Sequence, residues 1–208
     1  MIEIELRFKI ANEPDLNNLI FKKDKIQKDV YFDTPDYKMF LGGNFMRTRN
    51  DKRIDFKLDI GDTEHNYCQE TSFDVADING KNINFTNVFK ELGIDINTNF
   101  TNFDGFISVN NFIIFCPIVK QRKVYTTSKS NIIISIDKVE NLGFFLEAEV
   151  TIDDNDLSDK NAIVADIKKF LVDNKLICPK DVEQKIGYVE LYLMEHNPKA
   201  YKLGKFKA

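Results

Sequence analysis

Four pairs of like charge carry most of the chemical information in this chain. Glu3 and Glu5 stand two residues apart, as do Glu147 and Glu149; Arg47/Arg49 and Lys120/Arg122 repeat that spacing with the opposite sign. Two residues along a strand is about 6.6–6.8 Å on one face. Carboxylates so placed can flank a divalent cation, and cationic side chains so placed can hold neighbouring phosphate oxygens. A polyphosphate with Mg2+ answers both signs, since basic rows neutralise phosphate and acidic rows hold the bridging metal. The chain has only two histidines, His65 and His196, and Cys68, Cys116 and Cys178 lack metal-ligand spacing. Any metal therefore falls to carboxylates, which favour hard ions such as Mg2+ or Mn2+.

The elements that must position these groups are mostly strands. Residues 2–10 alternate strictly, with Ile2, Ile4, Leu6, Phe8 and Ile10 opposite Glu3, Glu5, Arg7 and Lys9. Asn12, Glu13 and Asp15, followed by Leu16, Leu19 and Ile20, predict a short helix. Strands are expected at about 26–33, 45–50, 53–60 and 66–76, with turns at Thr34-Pro35-Asp36, Gly42-Gly43 and Asn50-Asp51. Residues 84–93 predict a helix ending at Gly93, while the Asn-rich stretch from 95 to 111 is ambiguous. Further strands are expected at about 112–126, 131–138 and 143–152. The period then becomes helical over 156–176 and 181–196, with Pro198 as the stop. About eight strands and few helices predict an antiparallel barrel or sandwich with the last two helices over an end or side.

The polar faces of these strands are charged: Arg53, Asp55, Lys57 and Asp59 share one, and Ser135 and Asp137 another. A two-layer sheet with one wet face has the same alternation. If the charged faces instead line a closed barrel, acid and base must pair there, retain water or await an anion with its metal, because unpaired burial is too costly.

The chain has 208 residues, 43% of them hydrophobic and 30% charged, enough for one sizeable core. There are 29 basic and 33 acidic residues, a net of −4, so no bulk electrostatic footprint for nucleic acid is present. No apolar run approaches the roughly 20 residues that span a bilayer. The first ten residues lack the apolar core of a signal peptide, and a cytoplasmic protein of one domain is the expectation. The cysteines read as reduced thiols.

In order along the chain, the residues resemble the CYTH, or triphosphate tunnel metalloenzyme, family. Its E-x-E-x-K signature reads Glu3-Ile4-Glu5-Leu6-Arg7 here, with Arg in place of Lys. Then come Tyr31-Phe32-Asp33-Thr34-Pro35, Met46-Arg47-Thr48-Arg49, Lys57, Glu70, Lys120-Gln121-Arg122, Asp137, Glu147-Ala148-Glu149, Lys185 and Tyr188. The resemblance implies one CYTH domain over residues 1–208, of α+β class but mainly β. Its fold would be an eight-stranded antiparallel barrel forming a tunnel, with flanking helices and Mg2+ or Mn2+ inside. It implies that Glu3, Glu5 and Glu149 hold one metal, and that Glu147 and Asp137 serve a second ion or the attacking water. Arg7, Arg47, Arg49, Lys57, Lys120, Arg122 and Lys185 would grip the triphosphate. Tyr31 and Lys57 match a tyrosine and a lysine linked to catalysis in the thiamine triphosphatase branch, so Glu5, Arg7, Tyr31 and Lys57 are the expected catalytic set. Read without the resemblance, Tyr31 is a packing residue and Lys57 a surface charge. Arg7 cannot deprotonate in the working range, so any role requiring a neutral lysine is lost and a phosphate-clamping role survives.

Hydrolysis of a triphosphate, organic (thiamine triphosphate or a nucleoside triphosphate) or inorganic, is the first functional expectation. A class IV adenylyl cyclase forming cyclic AMP and pyrophosphate is the alternative. A polyphosphate- or nucleotide-binding module without turnover is a third reading, and a barrel with an apolar interior a fourth. The expected partner is a small triphosphate compound, with neither nucleic acid nor membrane involved. Some relatives pair, so a homodimer is compatible.

Overall fold

The computed structural model describes residues 2–59, 67–127, 130–152 and 160–207. His65 and the start of the helix expected over 156–176 lie outside them. Eight strands form the framework of the chain. They are β1 (Ile2–Ile10), β2 (Ile20–Asp33), β3 (Phe45–Arg49), β4 (Arg53–Asp59), β5 (Tyr67–Asp74), β6 (Ile113–Thr126), β7 (Ile133–Val139) and β8 (Gly143–Ile152). Hydrogen bonding orders them β5-β4-β3-β2-β6-β7-β8-β1, every pair antiparallel. Pairing of β1 with β5, from Ile2↔Gln69 to Ile4↔Tyr67, closes the sheet into an eight-stranded barrel. A short β9 (Val182–Gln184) pairs with β1 at Arg7–Lys9.

Closure puts the charged faces inside. The long apolar faces point outward and are covered by helices, so two of the cores lie around the barrel, and the charged interior overturns the apolar-interior reading. On one side Ile4, Leu6, Phe8, Ile134, Leu146 and Ala148 pack with Ile167 and Leu171 of α4 (Lys160–Asp173). On another, Ile54 and Phe56 pack beneath α2 (Ile83–Glu91) and α3 (Phe103–Val109), which contribute Phe85, Phe89, Phe103 and Phe106. A third cluster lies at one end of the barrel, where Phe45 and Phe145, on the same strand faces as Arg47 and Glu147, gather with Phe40 of α1 (Lys38–Leu41), α5 (Tyr188–His196) and α6 (Pro198–Leu203). Among the described residues no helix is long and apolar enough to cross a membrane.

Several boundaries differ from the sequence expectation, each for a local reason. The helix expected after Asn12 does not form: Asp15 accepts from the Asn17 amide at 3.0 Å and Leu19 bonds back to Leu16, making turns before β2. β2 begins at Ile20, not 26, because pairing with β6 satisfies its backbone even where Lys22-Lys23-Asp24-Lys25 has no apolar alternation. The ambiguous Asn-rich stretch contains α3, capped by Asn102, whose side chain accepts from the Gly105 amide at 2.8 Å. The helix expected over 181–196 divides into β9 and α5. Pro198 ends α5 and also starts α6, at its first turn beside the capping Asn197. The Asn50-Asp51 turn forms as expected, both residues having left-handed φ angles of 52° and 55°.

The α2–α3 cover is a phenylalanine cluster. Phe85 is fully buried, with ring centroids 5.9 Å from Phe56, 5.3 Å from Phe89 and 5.1 Å from Phe106. Phe85→Ala is expected to cost about 3–5 kcal/mol of stability through the cavity it leaves. Urea unfolding checks this, and a loss under about 1 kcal/mol would mean that α2 is not packed against the barrel as described.

Candidate active site

Inward-facing residues from all eight barrel strands surround a cavity of about 310 Å³. Its wall on β1 and β8 is acidic. Glu3, Glu5 and Glu149 each bring a carboxylate oxygen within 4.8 Å of the others. The register explains why: Glu5 and Glu149 are directly paired on neighbouring antiparallel strands, and Glu3 follows two residues away on the same face. Burial, opposed by Lys57 and reinforced by Glu5, Glu70 and Glu149, pushes the Glu3 carboxyl up to about 8. Burial and Glu5 likewise raise Glu149. An acidic group so crowded favours either a proton or a cation among its oxygens. Three oxygen donors fit a hard divalent ion.

Lys57 of β4 stands at the edge of this cluster, 3.1 Å from Glu3 and 3.0 Å from Glu70. Burial lowers its basicity, but these carboxylates outweigh that and hold it as a cation. Tyr31, expected as its partner, is also in the cavity. Its hydroxyl accepts instead from Arg47 Nη1 at 2.9 Å.

The opposite wall is cationic, and buried carboxylates brace it. Arg47 lies 3.2 Å from Asp55 and 3.5 Å from Asp29. Arg49 donates twice to Asp29, from Nε at 3.0 Å and Nη2 at 3.4 Å. Burial pushes Asp29 upward, yet Arg47 and Arg49 hold it well below the usual carboxylate range. Lys120 and Arg122 share Asp137, at 2.8 and 2.5 Å, and Asp137 is wholly buried. These carboxylates fix the cations from behind, and each guanidinium keeps N–H groups that they do not take up.

Asp137 and Glu147, expected at a second ion or the attacking water, stand apart from the carboxylate trio as counter-ions. Glu147 pairs with both Arg7 and Arg122, which with Lys120 hold it well below its ordinary range against the effect of burial. Arg7 itself is a brace. Its Nε donates to Glu147 at 2.8 Å, Nη1 to the Ile186 carbonyl at 3.0 Å and Nη2 to Glu5. Its guanidinium also lies 4.4 Å from the Tyr188 ring centroid. Lys185 departs from expectation more sharply. It is exposed in the bend before α5 and does not line the cavity; Tyr188 enters instead, donating to Asp137 at 3.0 Å.

Sequence reasoning left out several of the site's residues. Asp29 alternates with Gln27, Tyr31 and Asp33 along β2, so its face was readable, but its partners on β3 were not. Asp55 and Arg53 were seen as a charged face without an inward direction. Lys23 and Lys25 fell in the stretch not read as strand. Glu190, on α5, had no signal, because only the docking of α5 against the barrel buries it.

A closed antiparallel barrel with a carboxylate trio facing a braced cationic wall defines a charged-tunnel protein. The chain belongs to the CYTH family, whose CYTH domain model matches residues 1–175. It is similar to a Methanocaldococcus jannaschii protein provisionally named an adenylate cyclase, 29% identical over 197 residues, which are 92% of this chain and 98% of that one. Among solved structures, a Pyrococcus horikoshii protein matches with a TM-score of 0.64 and 20% identity, over 93% of this chain and 99% of its own. A Hippeastrum protein, provisionally named an adenylyl cyclase and described as having a dominant triphosphatase activity, matches with a TM-score of 0.59 and 16% identity, over 94% and 95% of the two chains. These two structural likenesses establish the shared fold.

Glu190 lends itself to a pH test. It is fully buried and neither side-chain oxygen closes a hydrogen bond of normal geometry. Burial pushes it from 4.5 up to about 7; the amides of Glu190 and Gly187 and the charge of Arg7 offset only part of that. The folded state therefore favours the protonated form. The group's contribution is full below the unfolded pKa and is lost as pH rises through about 7, a fall of about 3 kcal/mol. Glu190→Gln is expected to remove that fall, leaving the variant the more stable protein at pH 8. Urea midpoints from pH 5 to 8 measure it, and an equal decline in the variant would assign the effect to another group.

Proposed function

We propose that this chain hydrolyses triphosphate compounds with a divalent cation bound at Glu3, Glu5 and Glu149. The observation that carries this reading is the opposition of that trio to the Arg47, Arg49, Lys120 and Arg122 wall within one cavity. The all-oxygen donor set suits Mg2+ or Mn2+. When bound, such an ion polarises phosphoryl oxygens and neutralises their charge.

The chain's own residues supply alignment and charge. Phosphoryl transfer asks for little covalent chemistry from protein, and much positioning. Arg47 and Arg49, braced by Asp29 and Asp55, offer their remaining N–H groups to one part of the phosphate chain. Lys120 and Arg122, braced by Asp137, offer theirs to another. Because the braces are already in place, little reorganisation is required as charge shifts in the transition state. Arg7 keeps Glu5 and Glu147 in position and couples them to the segment before α5. Lys57 acts as a charge beside Glu3 and Glu70, and the Tyr31 hydroxyl, its proton held more tightly by burial, remains a hydrogen-bonding group.

Water attacking the terminal phosphorus releases orthophosphate. A ribose 3′-hydroxyl attacking the α-phosphorus in the same cavity would release pyrophosphate and form a cyclic nucleotide. The name of the Methanocaldococcus jannaschii relative favours that second reading.

A turnover panel separates the two. Purified protein with Mg2+ or Mn2+ is given ATP, GTP, thiamine triphosphate and tripolyphosphate, and orthophosphate, pyrophosphate and cyclic AMP are measured separately. Orthophosphate is the expected product; cyclic AMP with matching pyrophosphate would establish the cyclase instead. Glu149→Gln is expected to lower turnover by about 10²–10³-fold with an unchanged melting temperature, and Glu5→Gln, which also removes a partner of Arg7, by as much with a lowered one. Near-normal rates in both variants would overturn the assignment of the trio.

A further inference from the structure

Strand β2 carries two lysines into the cavity that the interior ion pairing leaves over. Lys23 and Lys25 stand two residues apart and both line it. Lys25 is paired with Arg122 and Lys23 with Val124 on β6, so the two extend onto the next strand the row begun by Lys120 and Arg122. Each other lysine or arginine lining the cavity closes an ion pair with a carboxylate. Among the described residues Lys23 and Lys25 close none. What surrounds Lys25 is further positive charge. Burial and the neighbouring Arg49, Lys23 and Arg122 push its ammonium down to about 8. A half-buried cation among cations is stabilised chiefly by an anion entering from outside the protein.

An ammonium group is a point charge with three rotatable donors, suited to phosphate oxygens arriving from more than one direction. Resting on the reading of the barrel as a triphosphate site, we propose that Lys23 and Lys25 form a station for a phosphate group beyond the third. That group is either the fourth unit of a linear polyphosphate or a separate orthophosphate bound beside a triphosphate. The barrel would then discriminate by the number of phosphates presented, with Lys23 and Lys25 setting the preference.

Calorimetric titration in EDTA tests this without competing turnover, using tripolyphosphate, tetrapolyphosphate, and tripolyphosphate with saturating orthophosphate. The wild-type chain is expected to bind tetrapolyphosphate about tenfold more tightly than tripolyphosphate. An orthophosphate-induced tightening of tripolyphosphate by a similar factor would identify the separate ion as the source. The paired substitution Lys23→Gln with Lys25→Gln is expected to abolish whichever preference is seen, while changing tripolyphosphate affinity less than about threefold. Lys23→Arg with Lys25→Arg, and Lys22→Gln outside the cavity, are expected to retain it. Absence of both preferences in the wild-type chain, or equal losses for all ligands in the Gln variant, would overturn the proposal. The hydrolase reading is judged separately. Triphosphate turnover with no phosphate-number preference sinks the station alone, and a lysine-dependent preference without turnover sinks the hydrolase alone.

Discussion

Charge compensation inside a closed sheet is the constraint on which the rest of this structure depends. Asp29, Asp55 and Asp137 are almost wholly removed from solvent, and so are Arg47 and Lys120. Breaking a buried pair by removing one partner costs about 3–5 kcal/mol, because the other charge is stranded. The interior must therefore be solved as a set. Asp29 serves Arg47 and Arg49, Asp137 serves Lys120 and Arg122, and Glu147 links Arg122 to Arg7. These pairs form two groups, one on β2 and β3 and one running through β6, β7, β8 and β1, while Lys57 of β4 pairs with Glu3 of β1 and Glu70 of β5 where the barrel closes.

That solution displaces two of the apolar cores to the outside, where helices must cover them. The covering is uneven in kind. α2 and α3 bring phenylalanines that interlock edge to face over β3 and β4, whereas α4 brings aliphatic residues to β1, β7 and β8. α5 has a double role. Leu193 joins the apolar cluster at one end of the barrel, while Tyr188, at its first turn, enters the barrel between Arg7 and Lys120 and donates to Asp137. The segment before α5 is held by the bond from Arg7 to the Ile186 carbonyl, so the family's signature strand and the C-terminal segment are mechanically coupled.

Arginine at position 7 suits this arrangement. It reaches Glu5, Glu147 and a backbone carbonyl while its flat face rests on Tyr188. A lysine has the charge but neither the fork nor the plane. The residue that departs from the family signature thus becomes a junction of the acidic wall, the cationic wall and the C-terminal segment. Its donors are directed mainly at protein, whereas the arginines of β3 and β6 keep N–H groups that their bracing carboxylates do not take up.

Much of the fold was legible because strand alternation is local: β1, β3, β4, β7 and β8 follow from apolar residues at every second position. The ends of β2 and the division of 181–196 were not, since pairing with β6 and β1 decides them. The four like-charge pairs at i, i+2 were visible in sequence, and with them the kind of ligand they suit. Which way those faces point was not. A charged face turned to water and one turned into a barrel have the same pattern, and only closure between β1 and β5 decides between them. Closure also sorted the carboxylates. Glu3, Glu5 and Glu149 meet across two strands with Lys57 and Arg7 at their edge, whereas Glu147, two residues from Glu149, is taken up by Arg7 and Arg122. Residue type and spacing determined that this chain would present paired acids and bases on strands. The tertiary structure decided which acids are counter-ions and which stand together, because that depends on neighbours far apart in sequence and brought together by the barrel.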